Sequence, residues 1–150
     1  TRHADLLVAL EEAVIELAVR VHLALQDVVL DAAVALLDEM IVFGRTGETG
    51  GALRSDQRIT VDGDALLVET LDLRSVPGRS LPGILGGHRV LGTTMLLGMK
   101  TTDDVEGHVT PLAGAGMLAR AVADHAHEAS AALDPIWSQW RGRVSREYTD

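Results

Sequence analysis

An Asp-Gly pair between two alternating apolar stretches is the feature that most restricts how this chain can fold. Asp62 and Gly63 separate the segments LRSDQRITV and DALLVETLDL. In the second segment Leu66 and Val68 fall on one face of an extended strand, and Leu71 falls on the other. An Asp-Gly dipeptide favours the two-residue turn, with positive φ, that joins antiparallel strands. The sequence therefore predicts a β-hairpin centred on Asp62-Gly63.

The first part of the chain gives two conflicting signals. Residues Thr1 to Phe43 contain no glycine or proline and are rich in Ala, Leu and Glu, which favours helix. Apolar and polar residues nevertheless alternate from Leu17 to Gln26, which indicates a strand. From Asp31 to Phe43 both faces are apolar, as in a buried helix or a strand covered on two sides. Periodicity leaves open a mainly β fold and, as the alternative, an α+β fold with a helical N-terminal segment.

Glycine, proline and capping residues divide the second half of the chain. Two Pro-Gly dipeptides make SVPGRSLPG a loop, and HRVLGTTMLLGMK is interpreted as a pair of strands with a bulge at Gly92. After Asp124, interpreted as a helix cap, helix-forming residues dominate. Asp134 and Pro135 are interpreted as the N-cap and first position of a further helix. One or two helices are therefore expected near the C-terminus of a single domain.

Composition excludes several classes of function. The net charge of −9 disfavours general nucleic-acid binding, and an aromatic content of 3% is too low for base stacking. The absence of cysteine excludes disulfides and thiolate metal sites. No segment reaches the roughly 18 consecutive apolar residues typical of a membrane span, and no secretion leader is recognisable. We expect a cytoplasmic protein that binds neither membrane nor nucleic acid.

The segment DEMIVFGRTGETGG contains the candidate site. Asp38, Glu39 and Glu48 are interpreted as contacts for a passing cation, because oxygen ligands without cysteine or paired histidine do not form a tight cage. Asp38, Glu39 and Arg45 forming a structural ion-pair group is the alternative, and spacing does not decide between them. Backbone turns are predicted at several glycines outside or beside the site: Gly44, Gly47, Gly63, Gly86 and Gly87.

Catalytic and tight metal sites have little support in the sequence. No nucleophile elbow or phosphate loop occurs, so no catalytic residue is predicted. His125 and His127 are two residues apart, which on a helix points them in different directions and makes a metal-dependent hydrolase the least favoured class. The acidic stretch around Asp103 and Asp104 lacks calcium-loop spacing and is interpreted as a solvated loop.

Several blocks in order resemble one known family. LLDEMIVFGRTGETGGALRSDQRITVDGDALLVETLDL is similar to the urease accessory protein UreD (also called UreH), with an acidic pair, a Gly-Arg, a Gly-Glu loop and a DG turn. LGGHRVLGTTMLLG and PLAGAGMLARAVADHAHEASAALDPIWSQWR resemble the strand and the closing stretch that follow in that family. The blocks run from Leu30 to Arg141. The Gly-Gly-Asp segment of the family's N-terminal part is absent, so residues 1–150 are interpreted as a truncated UreD-like domain.

The resemblance implies a mainly β fold, with strands at Leu17–Gln26, Asp31–Phe43 and Gly116–Ala123. It also implies a non-enzymatic scaffold that binds a UreF-like accessory protein and apo-urease, and through the former a UreG-like GTPase. Nickel would be a passing cargo, with no tightly bound cofactor.

Two expectations concern contacts with other chains. We expect a partner to contact the closing helix at Trp137, Trp140 and Arg141, and exposed apolar strands to favour self-association. An oligomerisation or small-molecule-binding module without catalysis is the alternative function.

Overall fold

The computed structural model describes residues 10–17, 21–30, 34–45, 47–100 and 109–149. The strands in these ranges are β1 (Leu10–Leu17), β2 (Val21–Leu30), β3 (Ala35–Phe43), β4 (Ala52–Val61), β5 (Asp64–Leu73), β6 (Val90–Leu97), β7 (Val109–Pro111) and β8 (Gly116–Ala123). The helices are α1 (Val76–Arg79) and α2 (Ala126–Thr149).

The strands form two sheets, and α2 covers one of them. The larger sheet has the order β1-β3-β6-β8-β7, and the smaller one has the order β2-β4-β5. β1 runs parallel to β3 and β2 parallel to β4, whereas the other neighbours are antiparallel. Apolar contacts on the two faces of the larger sheet place the layers in the order smaller sheet, larger sheet, helix.

Alternation along the central strands explains why both faces of the larger sheet are apolar. Leu36 of β3 and Leu96 of β6 face α2 and pack with Leu133 and Trp140. Their neighbours Leu37 and Leu97 face the smaller sheet instead. Successive side chains of a strand point to opposite faces, so β3 and β6 must be apolar on both.

The mainly β fold predicted from the sequence is confirmed, and the alternative with a helical N-terminal segment is wrong for the residues described. Residues 10–17, 21–30 and 35–43 are strands despite their Ala and Leu content. Burial between two layers favours a strand at β3, and such tertiary context overrides intrinsic propensity. The strand predicted at Gly116–Ala123 is confirmed with the same bounds.

The predicted hairpin is also confirmed. β4 and β5 pair antiparallel around Asp62 and Gly63, whose φ values are +51° and +86°. Two successive positive φ values are those of the tight turn whose twist matches that of paired strands.

Two local predictions are wrong. HRVLGTTMLLGMK contains one strand, β6, and Gly92 lies in regular register between Met40 and Ala121 instead of forming a bulge. No new helix begins at Asp134, because Pro135 lies inside α2. The packing of α2 on the larger sheet keeps the helix continuous although proline cannot donate the usual backbone hydrogen bond.

The start of α2 is capped at His125, one residue beyond the predicted cap. The Glu128 carboxylate accepts a hydrogen bond from the His125 N–H at 3.1 Å, and the Glu128 N–H donates to the His125 carbonyl. This arrangement is related to the capping box, in which an acidic residue of the first turn satisfies the N–H of the cap.

Candidate functional site

Polar side chains lie between the two sheets, in what we call the inter-sheet polar layer, which we define by Glu39, Gln57, Glu69, Thr93 and Arg120. Strand register brings them together. Glu39 is opposite Thr93, and Thr93 is opposite Arg120, so these three form one row across the larger sheet. Gln57 is opposite Glu69 on the smaller sheet.

Arg120 and Glu69 join the two sheets. The Arg120 Nη1 atom donates to Glu69 Oε1 at 2.7 Å, and Nη2 donates to Glu69 Oε2. The Arg120 Nε atom also lies 3.4 Å from the Thr93 hydroxyl. Both charged side chains are largely withdrawn from solvent, with exposed fractions of 28% and 22%. A bidentate pair of this kind is strong and fixes the relative position of its partners.

Glu39 is the second carboxylate of the layer. Burial raises its pKa above the ordinary value of 4.5, the positive charge of Arg120 lowers it, and the negative charge of Glu69 raises it. Glu39 is therefore within electrostatic reach of both members of the Arg120–Glu69 pair. Desolvation dominates because the charged form of a carboxyl loses hydration when it is buried.

Apolar side chains surround the polar layer on both sides. One group includes Leu37, Ile59, Met95 and Leu118. The other includes Ile41, Phe43, Leu53, Leu73, Leu85 and Leu91. In so apolar an environment charges interact more strongly than in water, and an unpaired charge costs more.

The three carboxylates predicted as cation contacts lie in three different surroundings. Asp38 is on the face of β3 toward α2, whereas Glu39 faces the smaller sheet. Glu48 belongs to an exposed turn, where its Oε2 atom accepts a hydrogen bond from the Arg45 N–H at 2.9 Å. The part of the chain that the structure describes contains no group of three or more His, Asp or Glu arranged to bind a metal.

Sequence reasoning missed the other members of the polar layer. A signal was present, since Arg120 interrupts the apolar run GMLARAVA and Glu69 interrupts ALLVETLDL. Charged residues at inward positions of buried strands are uncommon unless they are paired. The pairing itself depends on how the two sheets are stacked, and no local pattern encodes it.

The Gly-rich turn is fixed by close backbone packing and by Arg79. A Cβ atom at Gly44 would lie 2.9 Å from the backbone of Gly50, so the two ends of the turn touch. Buried Arg79 donates to the carbonyl of Gly51 at 2.7 Å and to that of Thr49. Its guanidinium also lies 4.5 Å from the centre of the Phe43 ring.

The remaining predicted glycines lie in turns. Gly47, Gly86 and Gly87 adopt φ values of +85°, +60° and +90°.

The predicted partner residues differ in accessibility. Trp140 is fully buried against the larger sheet, Trp137 is partly buried, and Arg141 is exposed. Trp140 is therefore a core residue, and a partner that approaches the surface of α2 meets Arg141 and part of Trp137.

Three of the six histidines, His88, His125 and His127, lie at the surface near the start of α2. The rings of His125 and His127 stack with centroids 5.5 Å apart, and His88 Nδ1 lies 2.9 Å from Asp124 Oδ1. The predictions for Asp103 and Asp104 fall outside the described residues. Neither helix in the described ranges has the length and apolar character needed to cross a membrane.

Comparison with known proteins identifies the family. The family model of the UreD urease accessory protein matches residues 5–149. Urease accessory protein UreD 1 of Streptomyces griseus is 38% identical over 103 residues, which cover 69% of this chain and 40% of that protein. Urease accessory protein UreD of Frankia casuarinae is 38% identical over 51% of this chain and 28% of its own length. The matched part of the chain thus covers less than half the length of each of these relatives. It belongs to the UreD family of urease accessory proteins.

Proposed function

We propose that this chain acts in urease maturation as a scaffold that helps to deliver nickel into apo-urease. The observation that supports this most is Glu39, a carboxylate inside the inter-sheet polar layer beside the Arg120–Glu69 pair. Family membership supplies the urease context. The partly buried carboxylates supply groups that a cation can contact between the two sheets.

The oxygen ligands of the polar layer suit transient binding of Ni²⁺ better than tight binding. Oxygen ligands bind Ni²⁺ less strongly than imidazole or thiolate, and the layer offers two carboxylates with the hydroxyl of Thr93 and the amide of Gln57. A cargo site has to bind favourably enough for the ion to enter and weakly enough for it to leave. Two carboxylates, one of them already paired with Arg120, meet this condition.

We infer that the chain acts by binding and not by catalysis. Glu69 is engaged by Arg120 and is therefore not free to act as a general base. The proposed partners are a UreF-like accessory protein and apo-urease, with a UreG-like GTPase bound indirectly. The proposed compartment is the cytoplasm, where these proteins would meet.

The exposed part of α2 is the proposed contact for the UreF-like protein. Arg141 projects into solvent beside the partly buried Trp137. Arginine beside an aromatic ring is a combination enriched at protein interfaces. Other surfaces of the chain would then remain available to apo-urease.

Co-purification tests the proposal directly. The tagged chain is expressed with the UreF-like protein and urease of its source organism, and each bound protein is quantified. We expect both to be retained. Arg141→Ala should reduce retention of the UreF-like protein, whereas Arg146→Ala, an exposed arginine of the same helix, should not. Absence of both partners from the purified wild-type chain would contradict the proposed function.

A further inference from the structure

The cation Arg120 shares the polar layer with two carboxylates. Its two Nη atoms bond both oxygens of Glu69, and Glu39 lies two strands away in the same row of the larger sheet, with Thr93 between them. The Nε atom lies near the Thr93 hydroxyl, which belongs to the same row. The guanidinium therefore neutralises the region of the polar layer where a bound ion would have to lie.

Removal of this guanidinium would leave uncompensated negative charge in the polar layer. Glu39 and Glu69 would then share the polar layer, between two groups of apolar side chains, without the charge of Arg120. Two partly buried carboxylates without a counter-ion repel each other and attract cations. Since arginine does not lose its proton in proteins, Arg120 provides its compensating charge at every physiological pH.

We propose that Arg120 is a guanidinium gate, which a divalent cation has to displace in order to bridge Glu39 and Glu69. This inference rests on the proposed function and adds to it a residue that determines selectivity and residence time. When the cation binds, the Glu69–Arg120 hydrogen bonds break and carboxylate–metal contacts form. When the cation leaves, Arg120 returns to Glu69, so the layer never remains without a counter-ion.

The position of Arg120 allows this movement. Its side chain is 28% exposed, so part of it already contacts solvent and a displaced guanidinium can be rehydrated. Arginine also combines a long flexible stem with a weakly hydrated head group, which lowers the cost of alternating between the two surroundings.

The charge of the competing ion determines whether that ion can displace Arg120 from Glu69. A divalent cation brings two positive charges to two carboxylates, whereas Arg120 brings one. A monovalent ion brings no more charge than the guanidinium and lacks its bidentate hydrogen bonds. The gate therefore favours divalent cations over monovalent ones.

Nickel binding to the full chain tests the gate. The dissociation constant of Ni²⁺ is measured by equilibrium dialysis for the wild type, Arg120→Gln, Arg120→Lys and Glu39→Gln. The matched control is Arg74→Gln, which makes the same charge change at an exposed pair with Asp72 outside the layer. We expect Arg120→Gln to bind Ni²⁺ about tenfold more tightly, the order of effect of one neighbouring unit charge on a partly buried carboxylate.

The other variants separate the effect of the Arg120 charge from that of its bidentate geometry and from a general change of charge. Arg120→Lys keeps the charge but loses the bidentate geometry, so we expect tightening that is smaller than for Arg120→Gln. Arg74→Gln should remain within about twofold of the wild type, as expected for an exposed pair. Glu39→Gln should weaken binding. If circular dichroism finds Arg120→Gln unfolded, Arg120→Lys carries the test, and an unchanged or weaker affinity of this variant overturns the gate.

The possible failures are distinguishable. If Glu39→Gln weakens binding and neither Arg120 variant tightens it, the gate is wrong and the proposed function stands. If the wild type binds no Ni²⁺, or if Glu39→Gln leaves binding unchanged, the proposed path of the metal and the gate are both wrong.

Discussion

Gly92 of β6 lies directly beneath Leu133 of α2, so closely that a Cβ atom at position 92 would be 2.7 Å from the Leu133 Cδ1 atom. The helix approaches the larger sheet at this point because glycine presents no side chain there. Leu133 in turn packs with buried residues of β3, β6 and β8. This pair of residues therefore sets the distance between the helix and the sheet.

Gly92→Ala should destabilise the protein, because the added methyl group overlaps a buried side chain in a packed interior. We expect a loss of about 1–3 kcal/mol in the free energy of unfolding, measured by urea denaturation. Gly142→Ala is the matched control, since its Cβ atom would meet only Arg146 Nη1 at 3.7 Å. In the helix interior this control should gain roughly 0.5–1 kcal/mol. Equal effects of the two changes would contradict the close contact between Gly92 and Leu133.

Arg79→Met should loosen the Gly-rich turn. The variant loses hydrogen bonds to the carbonyls of Gly51 and Thr49 and the contact with the Phe43 ring. Because the carbonyls lose a charged donor, we expect destabilisation of about 3 kcal/mol and faster amide exchange in residues 47–51. Arg74→Met, at an exposed ion pair, should change stability much less. Unchanged exchange in the turn would show that Arg79 does not fix it.

The raised pKa of Glu39 predicts a specific dependence of stability on pH. Burial makes the folded protein keep this proton above the ordinary value of 4.5, so the folded state binds more protons than the unfolded one. Stability contributed by this group is therefore present at low pH and is lost as pH rises from 4.5 through the folded pKa. Glu39→Gln should gain stability relative to wild type over this range, as measured by thermal unfolding. A difference that is constant with pH would contradict the assignment.

Asp72 should show the opposite dependence. Hydrogen bonds from Arg74 lower the pKa of Asp72 from 3.8 to about 2. Its contribution is thus present above pH 3.8 and is lost as pH falls toward 2. Unfolding curves of Asp72→Asn and wild type should differ at neutral pH and converge near pH 2. Persistence of the difference at pH 2 would contradict the ion pair.

Self-association is expected through the smaller sheet. β5 is at the edge of the order β2-β4-β5, and its Val68 side chain is 65% exposed. Val68→Lys should reduce association in sedimentation velocity, because lysine on an edge strand opposes pairing with another chain. Leu81→Lys is the matched control, since Leu81 is a similarly exposed apolar residue, at 57%, that lies outside the strands. A wild type that remains monomeric would contradict this prediction.

The sequence was most informative where local chemistry determines structure. Asp62-Gly63 predicted its hairpin because few residues tolerate two successive positive φ values. At Pro135 local chemistry misled, since contacts of the surrounding helix with the sheet outweigh the cost of a proline. A glycine inside a strand pattern suggests a bulge, but Gly92 makes room for Leu133 instead. This contact could not be predicted locally, because it involves a helix more than thirty residues away in sequence.

The candidate site likewise contains one residue that the sequence predicts and others that it does not. Glu39 was predicted from a local acidic pair, but its neighbour Asp38 faces another layer, a consequence of strand alternation that depends on β3 being a strand. Glu69 and Arg120 are 51 residues apart in sequence and meet only because the sheets stack. Such a pair cannot be read from spacing within one segment.

Nickel incorporation into urease is the decisive test of the role proposed for Glu39. Urease is produced together with its accessory proteins and with this chain as wild type, Glu39→Gln or Asp38→Asn, and nickel per urease active site is measured with urease activity. The two variants each remove one carboxylate from adjacent positions of β3, on the face between the sheets and on the face toward α2. We expect Glu39→Gln to lower nickel incorporation roughly tenfold or more and Asp38→Asn to lower it much less. Full incorporation with Glu39→Gln would show that the Glu39 carboxylate is not needed for nickel delivery.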